Sequence, residues 1–345
     1  MNEKSKKTPF ISRQPTANDV ARLANVSQSA VSRCYTKGAS ISPQTRERVM
    51  DAARQLGYRP NLVARSLITR QSKVIGVIIP SLENPFYTTI LETLSDNLAE
   101  KGYRILLFPF RQGASSDPLI DEVLNHRVDA IILVSSNLSS TFADECSSIG
   151  LPVVQLNRRS ERSHVSSVTG DNETGARLIA EFLIAGDHKK IAYMAGLETA
   201  STNKQRETAF TERLKQSGIK LHARIAANYN FEEAKHAARR FFSMQDRPDA
   251  IFCANDHMAI ATLSVAKYEF SLIPGSDVSI IGFDDMRIAD WPQYRLTTYQ
   301  QPAMSMAKRA IDIILDQLNN NMTETINDII GGELIIRNSA RIPKP

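Results

Sequence analysis

This sequence of 345 residues lacks the features that mark several large classes of protein. No apolar run approaches the roughly 20 residues that a membrane-spanning helix needs, and the amino terminus is basic and polar, unlike a secretory signal peptide. The three cysteines, Cys34, Cys146 and Cys253, lie far apart and fit neither a disulfide framework nor a metal site. We therefore expect a cytoplasmic protein without a membrane partner, whose cysteines are small buried side chains.

Sequence motifs of the common enzyme classes are also absent. The chain has no G-x-G-x-x-G, no Walker loop, no G-x-S-x-G and no H-E-x-x-H. Its six histidines, at positions 126, 164, 188, 222, 236 and 257, show no metal-binding spacing. We therefore expect no cofactor and no metal, and an enzyme remains only as the alternative that an α/β fold invites.

Basic residues are concentrated at one end of the chain. Residues 1–73 contain 14 Lys and Arg against four Asp and Glu, a net charge of +10, whereas the whole chain carries +5. The remaining residues therefore have a net charge of −5. A basic head on an acidic body predicts a polyanionic partner for the head alone. Residues 1–15, which are rich in Lys, Ser, Thr and Pro, are expected to form a disordered basic tail.

Residues 16–36 predict two short helices joined by a tight turn. Apolar side chains recur at i, i+3 and i+4, as Val20, Leu23 and Ala24 and then as Val31, Cys34 and Tyr35. Asn25 tolerates the left-handed conformation of such a turn, and Ser27 can cap the second helix. The outward face then presents Gln28, Ser29, Ser32 and Arg33, which are suited to base edges and phosphates. This pattern is typical of a helix-turn-helix, and an ordinary helical hairpin with a polar face is the alternative.

A third helix and a linker follow. Ser42 and Pro43 form a capping pair and Gly57 a terminating glycine, with an inward face of Val49, Ala52, Ala53 and Leu56. Asn61 can then cap a stretch that ends at Leu67. A helix this short is barely stable in water, so the stretch is either a plain linker or a segment that becomes helical when something orders it.

From Val74 the sequence alternates apolar strands with helical patterns. We predict strands at 74–79, 104–108, 130–134, 152–156, 190–195, 223–227, 249–253, 278–282 and 333–336, and helices at 86–101, 117–126, 140–149, 172–186, 203–217, 231–243, 255–269 and 303–319. This alternation predicts parallel sheets covered by helices. About 270 residues exceed one ordinary sheet, so we expect two similar subdomains with a ligand cleft beyond the carboxyl ends of their strands.

Ordered motifs from Thr16 to Arg341 resemble the lac-repressor-type (LacI/GalR) family of transcription regulators. They are DVARLANVSQSAVSR, RERVMDAARQLGYRPN, ARSL, GVIIPSLENPFY, GDNETGA, CANDHMA, IGFDD, LTTYQQP and ELIIRNS. The resemblance implies an all-α helix-turn-helix headpiece at 16–60, a hinge helix and linker at 61–72, and a core at 73–341. The core would consist of two similar parallel-sheet subdomains, like a periplasmic sugar-binding protein.

The resemblance also implies which residues contact DNA. Gln28, Ser29 and Arg33 would read bases in the major groove, with Arg33 suited to a bidentate contact with guanine. Positions that would hold phosphates or fix the register are Thr16, Ser27, Ser32, Thr36, Ser42, Thr45 and Asn61. In the hinge, Leu67 would insert into the minor groove at the centre of a palindromic operator, flanked by Ala64 and Arg65. A buried core leucine is the alternative for Leu67.

The effector site of the family maps onto nine residues: Asn84, Phe86, Tyr87, Asn157, Thr202, Arg206, Asn255, Asp284 and Gln301. An aromatic face, an Arg, a carboxylate and amides together suit a polyhydroxylated ring. Phe86 and Tyr87 could instead be core aromatics, and Arg206 a charge on a helix surface. Asp284 could be a helix cap, a role that Asp285 fits better.

Two positions depart from the family pattern: Asn157 stands where many relatives have Asp, and Ala209 where Gly is usual. Asn157 with the adjacent Arg158 and Arg159 would tolerate a carboxylate or phosphate on the ligand, so a sugar acid or sugar phosphate is one hypothesis for the effector. No leucine heptad follows Arg341, so we expect a homodimer rather than a tetramer.

The function that the resemblance implies is a transcription regulator, most often a repressor, whose affinity for its operator changes with a small-molecule effector. A corepressor-dependent regulator of the same family is an alternative. So are, from other classes, a periplasmic solute-binding protein, which would need a signal peptide, and a sequence-indifferent DNA binder, which would not need a ligand-binding core.

If Leu67 is the residue that opens the central base step, Leu67→Ser will weaken binding to the specific operator far more than binding to random duplex DNA. The reason is that only the specific complex contains the unstacked step. Titration of both DNAs at one fixed salt concentration measures the two losses. Equal losses on both DNAs would exclude this role.

Overall fold

A computed structural model describes residues 14–36, 38–60, 71–80, 82–110, 117–135, 142, 145–146, 148–159, 165–320 and 324–343. The chain divides into two compact units, Met1–Ser72 and Lys73–Pro345. Residues 1–13 of the basic tail predicted at 1–15, and the stretch from Asn61 to Arg70, lie outside the described residues. None of the described helices is long and apolar enough to cross a bilayer.

The first unit contains the three predicted helices, α1 (Ala17–Ala24), α2 (Gln28–Cys34) and α3 (Pro43–Leu56). The capping predictions for α2 and α3 are confirmed. Ser27 accepts a hydrogen bond from the Ala30 amide at 3.2 Å, and Ser42 accepts one from Thr45. Asn25 ends α1 with φ 52° and Gly57 ends α3 with φ 64°, both in the left-handed region that the turns require.

The small core between these helices differs from the predicted one at a single position. Val20, Val31 and Val49 are fully buried, but Leu23 is half exposed. Ala21 is buried instead of Leu23, because the buried arc of α1 is centred between Val20 and Ala21, and Leu23 lies on the far side of Val20. The apolar spacing therefore identified the helix correctly and placed its inward face slightly wrongly.

The second unit contains two sheets with six described strands each, so the prediction of two parallel-sheet subdomains is confirmed. The first consists of β1 (Val74–Ile79), β2 (Arg104–Pro109), β3 (Ala130–Val134), β4 (Val153–Leu156), β5 (Ser166–Gly170) and β11 (Asn327–Ile330), in the order β11-β5-β4-β3-β1-β2. The second consists of β6 (Ile191–Ala195), β7 (Ala223–Ala226), β8 (Ala250–Cys253), β9 (Ser279–Asp284), β10 (Thr297–Gln300) and β12 (Leu334–Ile335), in the order β12-β10-β9-β8-β6-β7. Neighbouring strands are parallel except for β10 and β12.

Helices follow most of these strands. They are α4 (Pro85–Glu100), α5 (Asp117–Asn125), α6 (Asn172–Ala185), α7 (Ser201–Gln216), α8 (Phe231–Phe242), α9 (Asp256–Tyr268), a 3₁₀ helix (Arg287–Asp290) and α10 (Ala303–Asn320). The predicted helix at 140–149 falls mainly on residues outside the described part of the chain. The sequence analysis missed strands β5, β10 and β11, which are rich in Ser, Thr, Asn and Asp rather than in apolar residues.

The described chain passes between the two sheets at three connections: after β5, after β10 and after β11. Hydrogen bonds join these connections. The Asp171 amide donates to the Ile330 carbonyl at 3.1 Å, and the Gly332 amide donates to the Tyr299 hydroxyl at 2.8 Å. The side chain of Gln301 packs directly against Gly170. The three connections therefore form one packed cluster, which we call the hinge cluster. It consists of Gly170, Asp171, Tyr299, Gln301, Ile330 and Gly332.

Gly332 leaves no room for a side chain in the hinge cluster, since an added Cβ would lie 1.8 Å from the Gln300 carbonyl oxygen. We therefore expect Gly332→Ala to lower the free energy of unfolding of the core by about 1–3 kcal/mol. The matched control is Gly331→Ala, because a Cβ there meets nothing within 4 Å. Thermal unfolding of both variants measures the difference, and equal midpoints would contradict this account of the cluster.

Candidate DNA-binding face and ligand cleft

Helix α2 presents a continuous polar face to solvent. Gln28, Ser29, Ser32 and Arg33 are all exposed, whereas Val31 and Cys34 are buried, so the orientation predicted for these side chains is confirmed. The Ser29 hydroxyl lies 2.9 Å from that of Ser27, and Arg33 Nε donates to the Ser29 carbonyl at 3.4 Å. The guanidinium of Arg33 is thereby held over the start of the helix, next to Ser29.

Several of the predicted phosphate-contacting residues serve as helix caps. Thr16 forms a capping box with Asp19 on α1. The Ser42 hydroxyl donates to Thr45 Oγ1 at 2.8 Å, and the Thr36 hydroxyl donates to the Ser32 carbonyl at 3.1 Å. Asn61, Ala64, Arg65 and Leu67 lie outside the described residues.

Arg46 is a residue of this unit that the sequence analysis missed. Its Nη1 donates to the Cys34 carbonyl at 2.7 Å and so connects α3 to the last turn of α2. A cation at a helix carboxyl end is favourable because the terminal carbonyls carry partial negative charge. Helix α2 has only seven residues, so this contact helps to fix a helix that would be unstable alone.

The second unit contains a cavity of about 280 Å³ at the carboxyl ends of its strands. Its walls are formed by Pro80, Glu83, Asn84, Tyr87, Arg158, Asn228, Tyr229, Asn230, Glu233 and His257. The first five follow strands of the first sheet and the last five follow strands of the second, so the cavity lies in the cleft between the sheets. Of the nine predicted effector residues, Asn84 and Tyr87 line this cavity directly.

Asn84 and Tyr87 enter the cleft at the start of α4. Asn84 caps the helix, its Oδ1 accepting a hydrogen bond from the Phe86 amide at 3.0 Å. Phe86 is part of the core behind it and packs edge-to-face on Tyr87 with ring centroids 5.8 Å apart. The alternative of a core aromatic therefore describes Phe86, whereas Tyr87 is both buried and part of the cavity wall. Burial raises the pKa of Tyr87, so its hydroxyl stays neutral.

The sequence analysis missed Tyr229, which lines the opposite wall. Asn228 and Tyr229 have φ of 52° and 60°, and this pair of left-handed residues turns the ring into the cleft. The ring covers Gly196, where an added Cβ would lie 2.2 Å from it. The Tyr229 hydroxyl lies 3.0 Å from the predicted effector residue Thr202. The only hint in the sequence was the Asn-Tyr-Asn triplet after β7, since Asn favours such turns.

Arg206 is fully buried, so it is not a charge on a helix surface. Its Nε donates to Asn172 Oδ1 at 2.9 Å, and its Nη1 donates to the Ala254 carbonyl. The guanidinium carbon lies 3.7 Å from the centroid of the Phe283 ring, and Nη1 lies 3.8 Å from Asp284 Oδ1. These contacts hold a planar group of hydrogen-bond donors at the base of the cleft.

Asp284 is not a helix cap, and neither is Asp285. The cap position of the following 3₁₀ helix is occupied by Met286, which makes no side-chain cap. Asp284 Oδ1 accepts a hydrogen bond from Gln301 Nε2 at 2.6 Å, and this contact joins the end of β9 to the hinge cluster. Asp285 binds Arg337 and Gln300 instead. The cap interpretation failed because Asp284 has φ 133° and Asp285 has φ 54°, conformations that turn both side chains away from the helix start.

Two other predicted effector residues, Asn255 and Asn157, are not among the residues that line the cavity, and each hydrogen-bonds to a neighbouring group instead. Asn255 caps α9, accepting a hydrogen bond from the Met258 amide at 3.0 Å. Asn157 is buried in the left-handed region with φ 71°, and its Nδ2 donates to Ser135 Oγ at 2.6 Å. Its Oδ1 is buried and has no hydrogen-bond partner among the described residues, so a ligand hydroxyl could satisfy this acceptor. The turn at Asn157 directs the next residue, Arg158, to the cavity wall.

A second carboxyl group, that of Asp256, is buried behind Asp284. It accepts hydrogen bonds from the Thr298 hydroxyl at 2.5 Å and from the Met286 amide at 2.8 Å, in a space that Gly282 leaves open. Burial and the charge of Asp284 raise the pKa of Asp256 to about 8. Burial raises that of Asp284 to about 6, against the opposing effect of Arg206. The pair therefore holds a proton to a higher pH than a separate carboxyl would, and Asp284 is the member that faces Arg206.

Comparison with known protein families covers both units. Residues 16–61 match the family described as bacterial regulatory proteins, lacI family, and residues 180–340 match a periplasmic binding protein-like domain. The transcriptional repressor CytR of Escherichia coli (strain K12) is 30% identical over 329 residues, which are 94% of this chain and 96% of that protein. Catabolite control protein A of Priestia megaterium is 29% identical over 314 residues, 90% and 94% of the two chains.

Solved structures agree with these matches. The lac repressor dimer bound to operator and the anti-inducer ONPF has a TM-score of 0.86 and 25% identity, covering 95% of this chain and 100% of that one. The transcriptional regulator CelR in complex with cellobiose has a TM-score of 0.72 and 26% identity, covering 94% and 99%. The predicted architecture of a helical headpiece and two parallel-sheet subdomains is confirmed.

The buried carboxyl of Asp256 predicts a dependence of stability on pH. Because its folded pKa lies above its ordinary value of 3.8, its contribution to stability is fully present below pH 3.8 and is lost as the pH rises through about 8. Asp256→Asn removes the titrating group, so the fall in melting temperature from pH 5 to pH 8 should be smaller in this variant by ~5 °C. Asp312→Asn, an exposed carboxylate on α10, is the control that should keep the parent's profile. Parallel profiles for parent and Asp256→Asn would contradict the assignment.

Proposed function

The chain belongs to the lacI family of bacterial regulatory proteins, and we propose that the residues described above make it a repressor controlled by a small molecule. It binds operator DNA in a sequence-specific way and changes its affinity when an effector occupies the cleft. The observation that carries the proposal is the combination of an exposed polar face on a helix-turn-helix with a polar cavity between two sheets. Operator DNA lies in the bacterial cytoplasm, which is therefore the proposed location.

The proposed domains are a basic tail at 1–15, a headpiece at 16–60, a hinge helix and linker at 61–72, and an effector-binding core at 73–341. The lac repressor in its structure with operator is a dimer. We propose the same state here, because two headpieces related by a two-fold axis match a palindromic operator. The core would carry the dimer interface.

In the headpiece, Gln28, Ser29 and Arg33 read base edges in the major groove. Their exposure on one face of α2 supports this role. The caps at Thr16, Ser27 and Ser42 leave helix amino ends exposed, and such ends favour phosphate groups. The other proposed phosphate contacts are Ser32, Thr36, Thr45 and Asn61. The hinge residues Ala64, Arg65 and Leu67 complete the proposed DNA interface.

In the core, the Arg206–Asp284 pair binds neighbouring hydroxyls of a polyhydroxylated ligand, the Arg donating and the carboxylate accepting. The remaining proposed contacts are Asn84, Phe86, Tyr87, Asn157, Thr202, Asn255 and Gln301, with Phe86 acting through Tyr87. CelR binds cellobiose in its structure, which supports a sugar-type effector for this chain. We add Tyr229 as an aromatic face for the ligand ring.

Effector binding is coupled to DNA binding through the hinge cluster. Gln301 donates to Asp284 in the cleft and packs on Gly170 in the neighbouring connection. A ligand that closes the cleft therefore changes the packing of the connections, and through them the relation between the sheets. A ligand favouring the DNA-bound arrangement would act as a corepressor, which is the alternative within the same family. A solute-binding protein would not use a DNA-binding headpiece.

No catalytic role is proposed, and one buried cluster supports this. Ser279, His188 and Asp249 lie in contact, as in a hydrolase triad. However, Ser279 is fully buried, and the Arg341 guanidinium lies 2.7 Å from His188 Nδ1 as a donor. The Ser279 hydroxyl is therefore closed off from any substrate, and the cluster is part of the core.

Arg33→Ala should weaken operator binding by about 1–3 kcal/mol, roughly 5- to 150-fold, and relax the preference at one base pair of each half-site. The operator is first obtained by selecting bound duplexes from a random library near physiological salt. Arg54→Ala, which removes an exposed charge from α3, is the matched control and should leave the preferred sequence unchanged. Failure to enrich any palindrome, with or without candidate sugars, would contradict the proposed function.

A further inference from the structure

Arg337 is not among the residues that line the described cavity, and we propose that it is a positioning residue for Asp284, the carboxylate of the proposed effector site. Arg337 binds the adjacent Asp285 and so holds the turn that directs Asp284 towards Arg206. This inference rests on the proposed function, because it concerns how the same effector site is assembled.

The turn at the end of β9 has a backbone conformation that its residues rarely adopt. Asp284 has φ 133° and Asp285 has φ 54°, and residues with a side chain seldom occupy this region. Such a conformation persists only where the surrounding contacts hold it. Contacts that fasten the turn are therefore needed to keep Asp284 Oδ1 at its distance of 3.8 Å from Arg206 Nη1.

The two carboxylate oxygens of Asp285 provide these contacts. Oδ1 accepts a hydrogen bond from Arg337 Nη2 at 2.8 Å, and Oδ2 accepts one from Gln300 Nε2 at 3.0 Å. The side chains of Arg337 and Asp285 are only 10% and 13% exposed, so solvent ions screen this pair little. Asp285 thus fastens the turn through two neighbours that are not part of the cavity wall.

Arg337 is itself fixed by several acceptors. Its Nη1 donates to the Leu296 carbonyl at 2.8 Å, and its Nε donates to Asp290 Oδ1 at 3.0 Å. Its backbone amide donates to Thr297 Oγ1 at 2.9 Å. Each nitrogen of the guanidinium therefore has an acceptor, and the planar fork sets the place of Asp285. A lysine at this position would keep the charge beside Asp285 and lose the fork.

The contacts of Asp285 also connect the turn with the hinge cluster. Arg337 follows β12, the strand that begins just after Gly332 of that cluster. The amide of Gln300, the other partner of Asp285, donates to the Glu333 carbonyl at 2.8 Å. A change in the packing of this connection therefore reaches Asp285 through both of its partners, and through Asp285 the effector carboxylate.

The buried pair of Asp256 and Asp284 reports the position of Asp284 without ligand or DNA. Burial and the charge of Asp284 raise the pKa of Asp256 to about 8, and burial raises the pKa of Asp284 to about 6. Of the other charged groups that face the pair, Asp285 adds to the rise for Asp256, whereas Arg206 and Arg158 oppose the rise for Asp284. Because both folded pKa values are raised, the stability that the pair contributes is lost as the pH rises through them. If Asp284 turns away, the rise becomes smaller, and so does the loss of stability between pH 5 and pH 8.

The test measures the melting temperature of full-length Arg337→Lys at pH 5 and at pH 8. We expect its fall between these pH values to be smaller than the parent's by ~2 °C. This change is less than that expected for Asp256→Asn, because burial, the largest cause of the raised pKa of Asp256, remains. A merely structural role of Arg337 would lower both melting temperatures alike. Arg295→Lys is the matched control and should keep the parent's fall, since Arg295 binds Asp290, as Arg337 does, and not the turn.

Two further variants show whether the effect passes through the turn. In an Asp284→Asn background, Arg337→Lys should change the fall little, because the positioned carboxylate no longer titrates. Gln300→Met removes the other contact of Asp285 without a change of charge. It should shift the fall in the same direction as Arg337→Lys, and it serves as the test if Arg337→Lys does not fold.

A fall equal to the parent's in Arg337→Lys, or in Gln300→Met where the first variant does not fold, overturns the proposal. So does an equal change in Arg295→Lys, or a change of the same size in the Asp284→Asn background. None of these measurements uses operator or effector. Failure to select any operator would therefore contradict the proposed function and leave the role of Arg337 intact. A selected operator together with a parent-like pH profile of Arg337→Lys would exclude that role and leave the proposed function intact.

Discussion

The buried guanidinium of Arg206 is the group on which the cleft depends. It hydrogen-bonds to Asn172 at the start of α6, to the carbonyl after β8, and lies against Asp284 at the end of β9. A buried arginine is costly unless its donors are satisfied and its charge is opposed. One side chain therefore connects the start of α6 to the carboxyl ends of β8 and β9.

The stability of the headpiece depends on other contacts, because its core is small and is formed mainly by valines and alanines. A domain of this size is marginally stable, and the reading helix α2 is shorter than an isolated helix could be. Serine caps, left-handed residues at the ends of α1 and α3, and the contact of Arg46 with α2 compensate for the missing core. As a result, the exposed polar side chains of α2 are presented by a helix whose ends are both fixed.

Much of this structure could be predicted from the sequence, for physical reasons that differ by element. Strands such as β1 and β3 are continuous apolar runs, and the caps of α2 and α3 are local features of a few residues. Strands β5 and β10 were missed because hydroxyl residues such as Ser166 and Thr297 are buried there through hydrogen bonds, which hydropathy does not register. The contributions of Tyr229 and Asp256 depend on left-handed turns and on contacts between distant segments, so no local pattern could indicate them.

The order of the chain in the two sheets has a consequence for synthesis. Strand β11 completes the first sheet by pairing with β5, yet Ser167 and Asn327 of this pair are separated by 160 residues. During translation the first sheet therefore lacks its last strand, and the edge of β5 stays unpaired, until most of the second subdomain has been made. The three helices of the headpiece, in contrast, precede both sheets in the chain and have a core of their own, so they are made before either sheet. The nascent chain thus contains a finished helical unit before either sheet is complete, and the pairing of β11 with β5 is the last step in assembling the first sheet.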